Sequence, residues 1–329
     1  ALIWFLFELF QPFHGSGHGE ITVSIPQHAA TSQVGDELER DHVISSSFFF
    51  RIRAGLAGDK LLAGTYHLKF DMSYGDVLKT LSTPPPPAKT TEVTIDPGRT
   101  RVQIYKLLKS QGVKGSYLVA TRHSPLLDPT RYGAPRSTPD LDGFLWPDTY
   151  QLRVPIDVKT LVADQLSTFK QRFAHVGMGW ANAHHYTPYQ VLIVASMVET
   201  EAETEHDRPL IASVIYNRLA QGMPLQIDAT VRYAVFNYTS PITESQLHSP
   251  SPWNTYVHKG LPPTPIGNPG PEAIDAAAHP ASTSYLFFVV KPCGNGSHAF
   301  ASTYAQFLQE EQQYQQARTQ RGGRSPAHC

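Results

Sequence analysis

The stretch running from Thr187-Pro-Tyr-Gln190 through Val191-Leu-Ile-Val-Ala-Ser-Met-Val198 to Glu199-Thr-Glu-Ala202 constrains this chain more than any other. Thr187 is an N-cap residue type, Pro188 suits a first helical position, and Gln190 stands where a capping-box partner belongs. From Val191 to Val198 only Ser196 is polar, so a helix here has no solvent face and must run through a core. It ends in acid, at Glu199 and Glu201, with Glu203 and Glu205 following. A carboxylate at a helix C-terminus meets the negative end of the helix dipole, and burial and neighbouring acids further penalise its charged form. A carboxyl held protonated near neutral pH is what general-acid cleavage of a glycosidic bond requires. The plainer alternative is a solvated acidic helix end.

Composition narrows the classes. A chain of 329 residues, 41% hydrophobic and 17% charged, is long enough for two domains with real cores. Its net charge of -1, with no basic stripe interleaved with aromatics, leaves no electrostatic footprint for nucleic acid. Cys293 and Cys329 supply neither a disulfide framework nor a paired-cysteine zinc site, and Cys329 falls in a segment read as a mobile tail. The histidines show no H-E-x-x-H spacing, and there is no G-x-S-x-G or P-loop, so no metal and no cofactor are expected.

Ala1 to Phe13 is almost wholly apolar, yet shorter than the roughly 20 residues that span a bilayer. It reads as the remnant of a transmembrane helix or of a signal-peptide core, either of which places the remainder outside the cytoplasm. A hydrophobic terminus tucked onto the fold is the third reading.

Further along, Ile21–Ile25 alternates like a strand and Thr31 to Val43 has helical spacing; Glu92–Ile95 and Val102–Leu108 repeat that order weakly. Between them, Leu62–Phe70 alternates and Ser73 is placed to cap a short helix. The prolines Pro84 to Pro87 mark a domain boundary. Thr121 to Asp140 reads as a long loop leading into Asp142-Gly-Phe-Leu-Trp-Pro-Asp-Thr-Tyr150, whose aromatics suit either a sugar-stacking wall or core packing. Val158 to Phe173 is amphipathic, Asp207 is expected to cap a helix closed by Gly222, and Leu225–Thr230, Ser251–Tyr256, Gly260–Pro265 and Asn268–Gly270 read as shaped loops. Pro271–Ala278, Tyr285–Val290 and Phe307–Ala317 follow as helix, buried strand and polar terminal helix. The sum is an α+β chain.

These stretches, in this order, resemble the YceG-like family of membrane-anchored endolytic murein transglycosylases. The resemblance runs through Leu62-Ala-Gly-Thr-Tyr66, Gly143-Phe-Leu-Trp-Pro-Asp-Thr-Tyr150, Ala195-Ser-Met-Val-Glu-Thr-Glu201, Ser213-Val-Ile-Tyr-Asn-Arg-Leu219, Leu225-Gln-Ile-Asp228, Asn254-Thr-Tyr256 and Gly260-Leu-Pro-Pro263. It continues in Ala276-Ala-Ala-His-Pro280, Tyr285-Leu-Phe-Phe-Val289 and His298-Ala-Phe300. It implies a membrane anchor and linker over 1–19, a small LysM-like module over 20–88, a mixed helical and short-strand lytic catalytic domain over 89–310, and a mobile tail over 311–329. It also implies localisation at the cytoplasmic membrane, with the catalytic domain on the extracytoplasmic side and peptidoglycan synthases as possible partners.

The implied reaction is cleavage of the MurNAc-GlcNAc β-1,4 bond of peptidoglycan strands with formation of a 1,6-anhydroMurNAc end, which limits strand length. By the family's glutamate-x-glutamate motif the catalytic residue falls at Glu201, with Glu199 in reserve, because residues two apart on a helix point roughly 200° apart. Gln226, Asp228, Asn254 and Tyr256 are implied to bind substrate or support the acid. The chain departs from the family's pattern at Asp142, at Trp253 and at Ile227-Asp-Ala229. Two other functions fit the same residues: a non-catalytic peptidoglycan-binding scaffold, and a muramidase that uses water as nucleophile.

Overall fold

In the computed structural model, which describes residues 2–58, 60–85 and 89–329, the chain divides into two compact units, Ala1–Lys89 and Thr90–Cys329. Pro86 and Pro87 of the proline boundary lie outside the described residues.

The first unit orders helix α1 (Leu2–Phe10), strand β1 (His18–Ile25), helices α2 (Thr31–Arg40) and α3 (Ser47–Ala57), strand β2 (Gly64–Phe70) and helix α4 (Tyr74–Leu81). β1 and β2 pair antiparallel, Val23 opposite Tyr66. Alternation drives the pairing: Val23, Ile25, Tyr66 and Leu68 are buried on one face, against Leu38, Phe50 and Leu81 of the helices. Ser73 caps α4 as its position foretold, its hydroxyl accepting the Asp76 N–H at 3.1 Å. Helix α3 is absent from the sequence reading, because exposed Phe48 beside buried Phe50 blurs the helical period.

The apolar terminus forms only α1, nine residues and about 14 Å long. Among the described residues no helix is long and apolar enough to cross a membrane, so the expected transmembrane helix is not present in them. Phe5 of α1 meets Phe49 of α3 with ring centroids 5.5 Å apart, while Leu2, Ile3 and Trp4 stay exposed.

The second unit runs β3 (Thr90–Thr94), α5 (Arg101–Ser110), α6 (Tyr117–Ala120), a 3-10 turn (Pro129–Tyr132), β4 (Thr149–Arg153), α7 (Val158–Phe173) and α8 (Gly179–Ala183). It continues with α9 (Pro188–Glu201), α10 (Asp207–Ala220), α11 (Asp228–Ala234), α12 (Glu244–Leu247), α13 (Pro271–Ala278), β5 (Phe287–Val290), β6 (His298–Ala301) and α14 (Tyr304–Gln320). β3 pairs antiparallel with β4, and β5 with β6. Helices and short antiparallel strands make this an α+β fold, as the sequence indicates.

α9 is the axis of this unit. The capping box forms as read, with Gln190 N–H donating to Thr187 Oγ1 at 3.2 Å and Thr187 N–H to Gln190 Oε1 at 2.8 Å. Every residue from Val191 to Val198 is buried. The lone polar one, Ser196, donates to Ile193 O at 2.7 Å and accepts Ile266 N–H at 3.0 Å, which fastens the loop after Gly260 to the helix.

Of the two readings of the 142–150 aromatics, core packing holds: Phe144 is fully buried and stacks on Tyr189 at 5.8 Å, and Trp146 is 5% exposed. Several other local expectations change. Asp207 is the first residue of α10 and not its cap; its buried carboxylate instead accepts the backbone N–H of His298 at 2.7 Å and lies 3.0 Å from His298 Nδ1. The segment read as loop through Thr230 turns helical at Asp228. The polar helix read at Phe307–Ala317 is present and runs from Tyr304 to Gln320, and beyond it Cys329 forms a disulfide with Cys293, a pairing the sequence reading did not foresee.

Candidate active site

At the C-terminal end of α9 a cleft of about 360 Å³ opens, lined by Glu201 and Thr200, by Asp228, Ala229 and Arg232 of α11, and by Gly98, Thr100 and Gln103 at the start of α5, with Tyr238 and Ile266 completing it. α9 stops here because Ala202 turns extended, at ψ 120°, leaving Glu201 as the last helical residue. The rigid, buried body of the helix thus aims one acid at the cleft.

Glu201 is half-buried: one side faces the cleft while protein surrounds the carboxyl closely. That burial pushes its pKa from 4.5 up to about 7; the nearby Asp228 carboxylate adds to the rise, and the Ala229 backbone N–H and Arg232 oppose it. Glu199 does not line the cleft. Its carboxylate accepts the Gly270 N–H at 2.8 Å, and burial raises its pKa while that bond and Arg208 pull it down.

Asp228 enters the cleft because several bonds fix the start of α11. Thr255, buried, accepts Ile227 N–H at 3.0 Å on its hydroxyl, which also lies 2.9 Å from the hydroxyl of Thr230. Its carbonyl accepts Gln226 N–H at 3.1 Å. Tyr256 donates its hydroxyl to Asp228 Oδ1 at 2.6 Å and so orients the carboxylate.

Gln226 and Asn254 lie outside the cleft lining. Gln226 sits at φ 53°, a left-handed backbone uncommon for a side-chain-bearing residue, and its Oε1 accepts from Arg218 Nη1 at 3.4 Å. Asn254 is fully buried, donates to Leu247 O and Ser249 O at 2.8 Å each, and accepts Tyr256 N–H at 3.0 Å. Every polar atom of that side chain is engaged in holding its own loop, so Asn254 supports Tyr256 and does not reach a ligand.

The sequence reading missed Thr255, Gln103, Arg232 and the buried Asn268. Asn268 Oδ1 accepts Gly143 N–H at 2.8 Å and Leu145 N–H at 3.0 Å, and its Nδ2 donates to Arg99 O at 2.8 Å and Asp142 Oδ1 at 3.3 Å. It ties three loops that frame the cleft. Asp142, buried, also accepts Arg101 N–H at 2.9 Å and the Tyr233 hydroxyl at 3.1 Å; burial and then Asp140 raise its pKa. An Asn within a Pro/Gly-rich segment was the available signal for Asn268. Nothing in the spacing of Gln103 or Arg232 pointed to the cleft.

The cleft thus holds one carboxyl of raised proton affinity and, near it, a second carboxylate anchored by a tyrosine. The chain belongs to the YceG-like family, whose model matches residues 23–313. An endolytic murein transglycosylase of Bacillus subtilis (strain 168) is 27% identical over 323 residues, covering 93% of this chain and 88% of that protein. An endolytic murein transglycosylase of Streptococcus pneumoniae (strain ATCC BAA-255 / R6) is 26% identical over 307 residues, covering 84% of this chain and 55% of that protein. This chain therefore spans about half the length of the pneumococcal relative. A crystal structure of a yceG-like protein from Listeria monocytogenes superposes with a TM-score of 0.58 at 28% identity, covering 88% of this chain and 99% of that one.

Proposed function

We propose that this chain is a lytic transglycosylase acting within peptidoglycan strands, cleaving the MurNAc-GlcNAc β-1,4 bond. The observation that carries this reading is Glu201, a half-buried acid at a cleft with a pKa pushed up to about 7. The family membership and the names of the relatives support it.

In the proposed reaction Glu201 donates its proton to the glycosidic oxygen as the bond from C1 of MurNAc to that oxygen breaks. The C6 hydroxyl of the same MurNAc then attacks C1 and returns its proton to the Glu201 carboxylate. One strand leaves with a free GlcNAc hydroxyl and the other with a 1,6-anhydro end; no water is consumed and the acid is regenerated. Asp228 raises the proton affinity of Glu201, and Tyr256 holds Asp228 in place. Glu199 braces the Gly270 turn behind the acid, Asn254 braces Tyr256, and Gln226 braces the loop that leads into α11.

The first unit takes the role of a LysM-like module, the second that of the catalytic domain. The peptidoglycan substrate places both outside the cytoplasmic membrane, near the synthases that make the strands.

The test is mass spectrometry of peptidoglycan digested by the unaltered chain and by Glu201→Gln. Anhydro ends should appear with the first and fall by a factor on the order of 10²–10⁴ with the second. Anhydro ends that persist in the variant remove Glu201 from its role. Reducing ends instead identify a muramidase, and no cleavage by either protein leaves a binding scaffold.

A further inference from the structure

Gln103 and Arg232 line the same cleft as Glu201, from elements far apart in the chain. Gln103 belongs to the capping box of α5: its Oε1 accepts Thr100 N–H at 2.9 Å, and its own N–H donates to Thr100 Oγ1 at 3.2 Å. The box fixes which end of the carboxamide is which. Its oxygen is occupied, and its Nε2 makes no hydrogen bond with any described residue.

Arg232 stands one helical turn after Asp228 on α11. Its Nη1 donates to Ser240 O at 2.8 Å and Asn237 O at 3.4 Å, which pins the guanidinium. Among the described residues its Nε and Nη2 make no hydrogen bond, and it forms no salt bridge. Both side chains are half-buried. The cleft therefore carries two pre-positioned donor groups, one cationic, with N–H groups that no described residue engages. Such a pair matches a ligand group rich in oxygen acceptors, and the guanidinium favours a carboxylate or a polarised acyl carbonyl over a neutral hydroxyl.

We infer that Gln103 and Arg232 recognise the 3-O-lactyl acyl group of muramic acid, and so let the cleft tell murein from an unsubstituted N-acetylglucosamine polymer. The inference rests on the proposed murein-cutting function and adds a specificity determinant to it. In a β-1,4 strand the lactyl acyl group is the feature that sets muramic acid apart from its neighbour, which bears a plain hydroxyl at that position. The acyl oxygens are present both when the lactyl group carries a peptide stem and when it ends as a free carboxylate. The N-acetyl carbonyl is the competing acceptor, but both sugars carry it and it gives no discrimination.

The test measures binding in a Glu201→Gln background, in which strands are not cut. Two ligands of equal length are compared: amidase-stripped glycan strands bearing lactyl groups, and a chitin oligosaccharide. Gln103→Glu keeps the capping-box acceptor and exchanges the donor for a carboxylate oxygen, so its melting temperature should match that of the parent. Arg232→Gln removes the charge. Each substitution should weaken binding of the lactyl strands about tenfold or more while changing chitin binding less than about twofold. Equal losses for both ligands, unchanged binding of the lactyl strands, or parent protein that does not prefer them over chitin would overturn the inference. Cleavage by the unaltered chain is scored separately. If it yields no anhydro ends while the binding preference holds, the lytic reading falls and the lactyl subsite stands.

Discussion

At Glu201 the proposed catalysis and folding stability pull in opposite directions. Its carboxyl titrates near 7 in the folded protein against an ordinary 4.5, so the folded state holds that proton more tightly than the unfolded chain does. Folding stability is therefore lost as pH rises from about 4.5 to about 7, and the whole penalty is present above that range. Glu201→Gln removes the penalty. Calorimetry should find the variant more stable than the unaltered chain by on the order of 1–3 kcal/mol at pH 8 and nearly equal to it at pH 4. The proposed cleavage requires the proton, so kcat/KM on glycan strands should fall about tenfold per pH unit above about 7. Asp228→Asn takes away the neighbouring negative charge that raises the acid, and the descending limb of the pH profile should move to lower pH. A limb that stays in place would show that burial alone sets the acid.

The element that matters most is α9, whose ends are held by different means. Its start depends on the Thr187–Gln190 box, and Thr187→Ala should lower stability by about 1 kcal/mol in urea unfolding, the usual worth of an N-cap. Ser196 links its middle to the loop at Ile266, a residue of the cleft lining. Ser196→Ala leaves the buried Ile266 N–H without an acceptor and should cost about 1–3 kcal/mol. Because that loop forms part of the cleft wall, Ser196→Ala should also raise KM, whereas Thr187→Ala acts at the far end of the helix and should leave KM unchanged. The helix–loop link, unlike the cap, thus joins fold and function.

On the scale of the molecule, two cores form separately in the two units, and the second closes on itself at its C-terminal end. The Cys293–Cys329 bond spans 36 residues of sequence and holds the segment beyond α14 near the β5–β6 hairpin, where Cys293 N–H also donates to Pro326 O at 2.8 Å. On loop-closure entropy a crosslink of that span contributes at most about 4 kcal/mol. Reduction with dithiothreitol should lower the melting temperature of the second unit and speed hydrogen exchange in α14. It should leave the cleft's kcat unchanged, since neither cysteine lines the cleft. A loss of kcat on reduction would place the terminal segment in the catalytic machinery.

Local chemistry determined a good part of this protein. The cap residues and the unbroken apolar run of α9, the alternation of β1 and β2, and the amphipathic spacing of α7 each act over a few residues, so the chain alone announces them. Helix geometry alone said that Glu199 and Glu201, two residues apart, cannot both face one cleft; the resemblance to the family's motif, not geometry, singled out Glu201, and Glu201 lines the cleft while Glu199 braces the Gly270 turn. What surrounds Glu201 was not legible in that way. Gln103 and Arg232 carried no signal in the sequence, and Phe144 and Trp146 suited a sugar platform as well as a core. Only the packing of distant segments, tied by Asn268, Ser196 and Thr255, turned the aromatics into core and brought the two donors to the acid. Periodicity reports which face of an element is buried, and it carries no information about which distant element buries it.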